Sequence, residues 1–292
     1  MKLPVDRRRF LSTLTMATVL SRFAWSEPGL RVASLDWALA ETMLAIGQEP
    51  IAIVAASDWD RFVVEPPLPH GVVDLGLQQE INFELLASLK PDLILTSPFI
   101  QDAEPILERI GATLSLSIFK QGTKPLAQPL LLTRTLAKRL GCTQAAQVFL
   151  ANAEQLLDSY RARVVALEPV PVLLVNFVDA RHVRVYGGAG LYQNVLERIG
   201  VVNAWTGETN YWGYSTVGVE KLATTKNLRL IAFEPIPPDA RATLQRSPLW
   251  SRLPFVEAGQ VAVLPTVFMF GAMPSALRFA RLLVEKLETL SR

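Results

Sequence analysis

The sequence predicts an α/β protein of two lobes, each built on a central sheet and joined by one long helix. Three observations favour this class. Short apolar runs alternate with helical patterns from Leu30 to about Gly141. The stretch from Gln144 to Leu167 then contains no Gly or Pro, and strand and helix patterns alternate again from Val172 onward. Such alternation is typical of a largely parallel sheet. The alternative is one larger doubly wound sheet with an ordinary long helix.

The N-terminal lobe is expected to span residues 27–143. Its helix boundaries follow from local signals, because Gly47 stops the first helix, Asn82 caps the second and Gly111 ends the third. The predicted strands cover residues 31–35, 51–55, 72–75, 92–96 and 113–117, and the predicted helices cover residues 38–46, 82–89 and 104–110.

The linking helix is expected over residues 144–168 and the C-terminal lobe over residues 169–292. The helix ends before Pro169 and Pro171 and would be about 35 Å long. A glycine turn at residues 187–190 is expected between a strand and a helix, rather than a phosphate-binding loop, because no Lys-Ser/Thr follows it. In this lobe the predicted strands cover residues 172–177, 183–186, 229–233 and 261–264, and the predicted helices cover residues 191–199, 219–224, 240–245 and 275–290.

Residues 1–26 have the pattern of an export signal rather than of the fold. Three arginines, at 7–9, precede a moderately apolar stretch, and the small residues Ala24 and Ser26 flank Trp25 at a plausible cleavage site. The paired arginines indicate the twin-arginine route. A surface-exposed N-terminal helix is the alternative. Export without a nearby lipid-anchoring cysteine predicts a periplasmic protein.

Composition excludes several functional classes. The chain has 292 residues, of which 50% are hydrophobic and 19% charged, with a formal net charge of +2. Removing residues 1–26 takes away five basic residues and one acidic residue, which leaves 24 basic and 26 acidic residues and a net charge of −2. Nothing in this balance indicates nucleic-acid binding. The single cysteine, Cys142, excludes an internal disulfide.

The motifs of common enzymes are missing from the sequence. There is no Gly-x-Ser-x-Gly elbow, and the two histidines, His70 and His182, do not form a zinc-binding pair. We therefore assign no catalytic residue and no metal ligand, and we expect no cofactor. Asp58, Asp60 and Glu65 form a small acidic group, for which a solvated loop is favoured over a cation site.

Aromatic residues cluster in loops after predicted strands, where open α/β sheets place ligands. Together they predict an aromatic-lined cleft between the lobes, suited to a bulky and partly apolar ligand. The clusters are Trp59 with Phe62, Phe99, Tyr211–Trp212–Tyr214, and Phe268 with Phe270.

Four segments resemble the hydroxamate-siderophore (ferrichrome-type) binding proteins of ABC importers. They are EPPLP at 65–69, VDLGL at 73–77, NAWTGETNYWG at 203–213 and FGA at 270–272. The resemblance covers essentially the whole mature chain. It implies a fold like that of class III periplasmic binding proteins, and a shallow cleft that holds a ferric siderophore and needs no iron ligand from the protein. It also implies delivery to a membrane permease driven by a cytoplasmic ATPase; we expect a monomer.

The resemblance also implies site residues. Phe62, Trp212, Tyr214, Phe268 and Phe270 match positions of the aromatic wall, whereas Phe99 stands near a position where the family has a tyrosine. The family's pocket arginine is replaced by Gln78, and Arg184 occupies a lining position across the cleft. We hypothesise that the cation has moved to the other lobe. Glu104 and Glu220, at the starts of two helices, are candidates for docking to the permease, although the helix dipole alone favours acids there.

Two other functions remain open. A protein of the same fold could bind another chelate, such as haem, a cobalamin or a catecholate. An exported esterase would need a nucleophile with a base, which the sequence does not offer.

Overall fold

The computed structural model describes residues 29–118, 126–224 and 227–290, and it contains two five-stranded sheets. The predicted signal peptide, residues 1–26, lies outside the described residues. The two-lobed α/β class predicted from the sequence is confirmed. The strands are β1 (Val32–Ser34), β2 (Ala52–Ile53), β3 (Val73–Asp74), β4 (Leu93–Thr96), β5 (Ala112–Ser115), β6 (Val172–Phe177), β7 (His182–Tyr186), β8 (Tyr214–Gly218), β9 (Arg229–Phe233) and β10 (Val261–Leu264).

The two sheets differ in strand direction. The first has the order β3-β2-β1-β4-β5 and is parallel throughout. The second has the order β10-β9-β6-β7-β8, in which β10, β9 and β6 are parallel while β7 and β8 run antiparallel. The expectation of a largely parallel sheet is therefore correct for the first lobe and only half correct for the second. Strand β8 was not predicted, because its sequence (YSTVG) is polar and lacks buried alternation.

Helices cover both sheets. None of those in the described ranges is long and apolar enough to cross a membrane. The helices are α1 (Trp37–Ala45), α2 (Trp59–Phe62), α3 (Phe83–Ser88), α4 (Glu104–Ile110), α5 (Ala127–Leu140), α6 (Thr143–Leu167), α7 (Leu191–Ile199), α8 (Pro238–Arg246), α9 (Pro248–Ser251), α10 (Pro254–Glu257) and α11 (Met273–Leu290).

The predicted long helix exists as α6. It has 25 residues, about 37 Å at the usual rise, and ends at Glu168, which has a left-handed backbone (φ 44°) before Pro169. Its buried residues Ala153, Leu157, Tyr160 and Val164 pack against α7 and α11 in the core of the C-terminal lobe, whereas Ala146 belongs to the core of the N-terminal lobe. Arg163 of α6 pairs in bidentate fashion with Glu288 of α11, at 2.7 and 2.8 Å. The linking helix is thus fixed along the second lobe.

Helix α11 also joins the two lobes. The fully buried Glu41 of α1 accepts hydrogen bonds from the Ala272 backbone N–H and from the Ser275 hydroxyl, the latter at 2.6 Å. Glu65, in the loop after α2, pairs with Arg278 and with Arg281, the latter at 2.9 Å. Both contacts bind carboxylates of the N-terminal lobe to the first half of one helix. Glu65 is therefore committed to an inter-lobe ion pair and not to a cation site with Asp58.

Candidate ligand-binding cleft

Two adjoining cavities lie between the lobes, with volumes of about 400 and 490 Å³. They share the side chains of Trp37, Phe268 and Phe270 and so form one cleft. The first cavity is lined mainly by residues that follow strands of the first sheet, and the second by residues at and after β6 and β9. The cleft thus lies at the carboxyl ends of parallel strands, the usual ligand site of open α/β sheets.

A continuous series of aromatic rings crosses the cleft from the N-terminal lobe to the C-terminal lobe and returns to the N-terminal lobe. Phe99 stacks on Trp212 with ring centroids 4.8 Å apart, and Trp212 meets Phe270 edge-on at 5.8 Å. The series continues through Phe268 and Trp37 to Phe62, with successive centroids 6.1, 5.4 and 6.0 Å apart. Ring faces and edges at these separations form a mainly apolar wall for a bulky ligand.

The loop that carries Trp212 is held by its own sequence. The Asn210 side chain accepts hydrogen bonds from the backbone N–H groups of Trp212 and Tyr214, at 3.0 and 3.2 Å. Gly213 has φ +79°, and a Cβ built there would lie 2.3 Å from Gly190. The glycine turn at 187–190 therefore leaves room for the backbone of this loop. This agrees with the prediction of a tight turn rather than a phosphate-binding loop at these residues.

Arg184 occupies the second cavity. It lies in β7 opposite Thr216 of β8, so that Tyr214 is its diagonal neighbour, and its guanidinium lies 5.2 Å from the centroid of the Tyr214 ring. Arg184 is exposed and makes no salt bridge within the described part of the chain. Its guanidinium donors are consequently available to a ligand, and the cation–π contact fixes its direction.

Gln78 belongs to the first cavity and lies in a turn after β3. Asp74 accepts a hydrogen bond from the Gly76 N–H at 3.0 Å, and the Glu80 N–H donates to the Leu77 carbonyl at 2.9 Å. These bonds close the turn that presents the half-buried Gln78 to the cleft. Gln78 and Arg184 therefore face the same cleft from different lobes.

All eight predicted ligand-binding residues line one or both cavities; whether they contact a ligand stays a prediction. The first cavity holds Gln78, Phe99, Trp212 and Tyr214, the second holds Phe62 and Arg184, and both hold Phe268 and Phe270.

Of the aromatic residues predicted for the cleft, Trp59 and Tyr211 line neither cavity, and one lining residue, Trp37, was overlooked. Trp59 was grouped with the cleft aromatics, but it is fully buried and its indole N–H donates to the Pro66 carbonyl at 2.9 Å, so it belongs to the core. Trp37, which lines both cavities, was not singled out. It sits at the start of α1, directly after the end of β1, and its position after a strand was the available signal.

Glu104 and Glu220 lie outside the lining of both cavities. Glu104 begins α4 as expected and is half-buried. Glu220 is exposed and belongs to a 3₁₀ segment, Val219–Thr224, rather than to the α-helix start implied by the sequence pattern. Their role in docking stays a prediction.

Burial shifts the titration of two carboxyl groups near the cleft. It raises the pKa of Asp36, which lines the first cavity, while the Ser97 hydroxyl and the N–H groups of Leu39 and Ala38 oppose the rise. It also raises the pKa of Glu41 to about 8, against the hydrogen bonds from Ser275 and Ala272. No three His, Cys, Asp or Glu side chains in the described ranges gather to hold a metal ion.

Two α/β lobes on a long connecting helix, with a ring-lined cleft between them, define a binding protein of the bilobal, substrate-capturing class. A family profile described as periplasmic binding protein matches residues 32–267, and the chain belongs to that family.

Individual relatives confirm the resemblance to hydroxamate-siderophore binding proteins. The chain is 34% identical, over 284 residues, to the iron(3+)-hydroxamate-binding protein FhuD of Escherichia coli K12, covering 96% of this chain and 95% of the relative. The crystal structure of FhuD from Vibrio cholerae with bound Fe³⁺-Desferal superposes with a TM-score of 0.84 at 28% identity, covering 89% and 98% of the two chains. FhuD2 of Staphylococcus aureus with ferrioxamine B shares the fold, with a TM-score of 0.73 at 17% identity over 90% and 100%.

Proposed function

We propose that this protein captures a ferric hydroxamate siderophore in the periplasm and delivers it, unchanged, to an ABC import permease driven by a cytoplasmic ATPase. The observation that carries the proposal is the ring series from Phe99 to Phe62 across a cleft that also offers hydrogen-bond donors. Two relatives support it: the E. coli protein, which is named for iron(3+)-hydroxamate binding, and the V. cholerae protein, which was solved with bound Fe³⁺-Desferal. Residues 1–26 would direct export by the twin-arginine route, and the protein would act as a monomer and not as an enzyme.

The siderophore supplies every iron ligand in this proposal, so the protein contacts only the outer surface of the complex. The ring faces would pack on its aliphatic arms, and Arg184 and Gln78 would donate to the hydroxamate oxygens. A guanidinium makes charge-assisted hydrogen bonds, roughly twice as strong as those of a neutral amide. Arg184 is therefore proposed as the main polar anchor and Gln78 as a weaker one.

Ferric tris-catecholates fit the cleft less well. Such a complex carries three negative charges, whereas the described lining offers the cation Arg184 together with the carboxyl groups of Asp36, Asp58 and Glu234. Glu234 is already paired with Arg241 at 2.7 Å. A neutral or positively charged ferric hydroxamate matches this balance better.

A titration with iron-loaded siderophores tests the proposal. Ferric hydroxamates should quench Trp212 fluorescence with saturation and without turnover. The Trp212→Phe variant should lose part of the quenching, because Trp37 also lines the cleft. Ferric catecholate and citrate complexes serve as comparisons. Failure of every ferric hydroxamate to bind, or ligation of iron by protein side chains, would refute it.

The shift of the cation to the second lobe is tested by paired variants. Arg184→Ala should weaken binding by roughly ten- to a hundredfold, as expected for a charge-assisted bond, and Gln78→Ala by only about two- to tenfold. Arg181→Ala is the matched control, because Arg181 is exposed nearby and lines neither cavity. Similar small losses for Arg184→Ala and Gln78→Ala would dispose of the idea.

A further inference from the structure

A third cavity, of about 460 Å³, lies on the N-terminal lobe beside the first cavity. It is a groove between the turn after β3, the start of α3, the 3₁₀ segment Pro98–Ala103 and the first turn of α4. We call it the side groove. Six of its lining residues are apolar, namely Ile81, Phe83, Phe99, Ile100, Ala103 and Ile106. Of these six, only Phe99 also lines the cleft described above.

The side groove is continuous with the first cavity. Gln78, Gln79 and Phe99 line both of them. Phe99 stacks on Trp212 with ring centroids 4.8 Å apart, so the ring at one end of the aromatic series is also a wall of the groove. A ligand whose core occupies the first cavity can therefore extend past Phe99 into the groove without leaving the protein surface.

Large apolar side chains are exposed along the route from the first cavity to the groove. Leu77 lines the first cavity and is 53% exposed, and Phe99 lines both and is 50% exposed. Ile106 lines the groove and is 41% exposed. Adjoining apolar side chains with this exposure favour an interaction site over bare surface. Their continuity with the cleft favours a part of the bound ligand as the occupant.

The floor of the groove is built on the core of the lobe and carries little charge. The lining residues that pack against that core are Ile81, Phe83, Ile100 and Ala103. Among the described lining residues, the exposed Asp102 is the one that ionises. The amide groups of Gln78 and Gln79 stand where the groove meets the cavity, and they can bind an amide or ester link. This arrangement suits an uncharged apolar chain and disfavours one that ends in a carboxylate.

We propose that the side groove is a subsite for an apolar acyl arm, and that the protein prefers ferric hydroxamates that carry such an arm over those with short substituents. This inference rests on the proposed function and names the ligand subclass. The iron core would lie between Gln78 and Arg184, and one arm would pass Phe99 and lie along Ile106. Each methylene fully removed from water raises the affinity about fourfold. Because the groove is open to solvent on one side, six methylenes are expected to contribute about ten- to hundredfold in total.

The test compares ligands with one iron core. N-acetyl and N-octanoyl ferrioxamine B have the same three hydroxamates and no charge on the acylated nitrogen, and they differ by six methylenes. The octanoyl ligand should bind about ten- to hundredfold more tightly in the fluorescence titration. An N-succinyl derivative, whose chain ends in a carboxylate, should gain nothing over the acetyl ligand.

Three variants separate the groove from general hydrophobicity and from folding. Ile106→Ser should remove most of the octanoyl gain and keep the affinity for the acetyl ligand within about twofold, which also shows that the variant is folded. Ala103→Leu keeps the groove apolar but fills it, and should likewise remove the gain. Val165→Ser is the matched control and should keep the full gain, because Val165 is 67% exposed on α6 and lines none of the three cavities.

Each outcome decides between the two proposals. Equal affinity of the native protein for the acetyl and octanoyl ligands would overturn the side-groove subsite and leave ferric hydroxamate binding intact. A full octanoyl gain in both groove variants, or an equal loss of the gain in Val165→Ser, would also overturn it. If the groove variants keep the gain but abolish uptake through the importer, the groove contacts the permease and not the ligand. Failure of every ligand to bind would refute the proposed function itself.

Discussion

The buried carboxyl group of Glu41 makes the stability of the protein depend on pH in an unusual direction. Its ordinary pKa is 4.5 and its pKa in the folded protein is about 8, mainly because burial disfavours the charged form, and the nearby Asp36 carboxyl group adds to the rise. The folded state therefore holds this proton where the unfolded chain has released it. The resulting stabilisation is complete below about pH 4.5 and is lost as the pH rises through 8.

The size of the effect follows from the two pKa values. Each unit of difference between the folded and unfolded pKa corresponds to about 1.36 kcal/mol, so the full contribution approaches about 5 kcal/mol. About 2 kcal/mol of this stabilisation is lost between about pH 6 and pH 8. Glu41→Gln removes this titration but keeps the shape. The Gln carbonyl can accept from the Ala272 N–H, and its amide can donate to the Ser275 hydroxyl oxygen. In the native protein the Ser275 hydroxyl donates to the Glu41 carboxyl group.

Urea unfolding at a series of pH values measures the effect. The free energy of unfolding of the native protein should fall by about 2 kcal/mol between about pH 6 and pH 8 relative to that of Glu41→Gln. The two proteins share every other titratable group, so the difference between them isolates Glu41. Glu108→Gln, an exposed acid of α4, should run parallel to the native protein. Parallel curves for the native protein and Glu41→Gln would refute the reasoning.

Three further results are expected. The double variant Glu104→Arg with Glu220→Arg should bind siderophore within about twofold of the native protein but abolish uptake through the importer. The control variant Glu108→Arg should leave uptake intact. Loss of uptake in the control as well as in the double variant would show a general charge effect. Gly213→Ala should destabilise the fold by more than the roughly 1–2 kcal/mol that a left-handed alanine costs, and should weaken ligand binding, because its Cβ meets Gly190. Gly259→Ala is the control, since Gly259 has φ +66° and open space around it, and chemical unfolding should show only the backbone cost there. Trp37→Leu should lower the affinity for siderophore about tenfold in the fluorescence titration, because it removes the ring that lines both cavities. Trp250 lines neither cavity, so an equal loss of affinity in Trp250→Leu would contradict this prediction.

The sequence predicted helices and strands best where the residues that mark their ends lie in or next to the element itself. Helix α4 begins and ends where predicted, at Glu104 and Ile110, because a first-turn proline and a following glycine mark its ends. Helix α5 was missed, since Pro129 in its first turn resembles a break although the position tolerates proline. Strand β8 was missed because its stability comes from pairing with β7, which no local pattern reveals.

The aromatic residues of the cleft could be predicted from the sequence, whereas the polar residues Asp36 and Ser97 could not. Loops after strands flagged Phe99 and Phe268, since parallel strands end at one edge of the sheet. The same rule could not tell that Trp59 turns into the core, because burial depends on neighbours distant in sequence. Asp36 and Ser97 have ordinary local roles, at a helix cap and a strand end, and only the sheet order β1-β4 brings them together.

The inter-lobe contacts bear on how the protein selects its ligand. Glu41 and Glu65 of the N-terminal lobe both bind α11, and Arg278 extends this connection through its guanidinium to the Thr266 carbonyl, at 3.1 Å, beside the second cavity. Arg278 is nearly buried, so opening this contact would leave a charge unpaired in a poorly solvated place, at considerable cost. The width of the cleft is consequently held by these inter-lobe contacts, in which Arg278 is a nearly buried charge, rather than adjusted by a free hinge. Selection among ligands is then expected to depend on the groups that line the cleft, with Gln78 in the first cavity and Arg184 in the second.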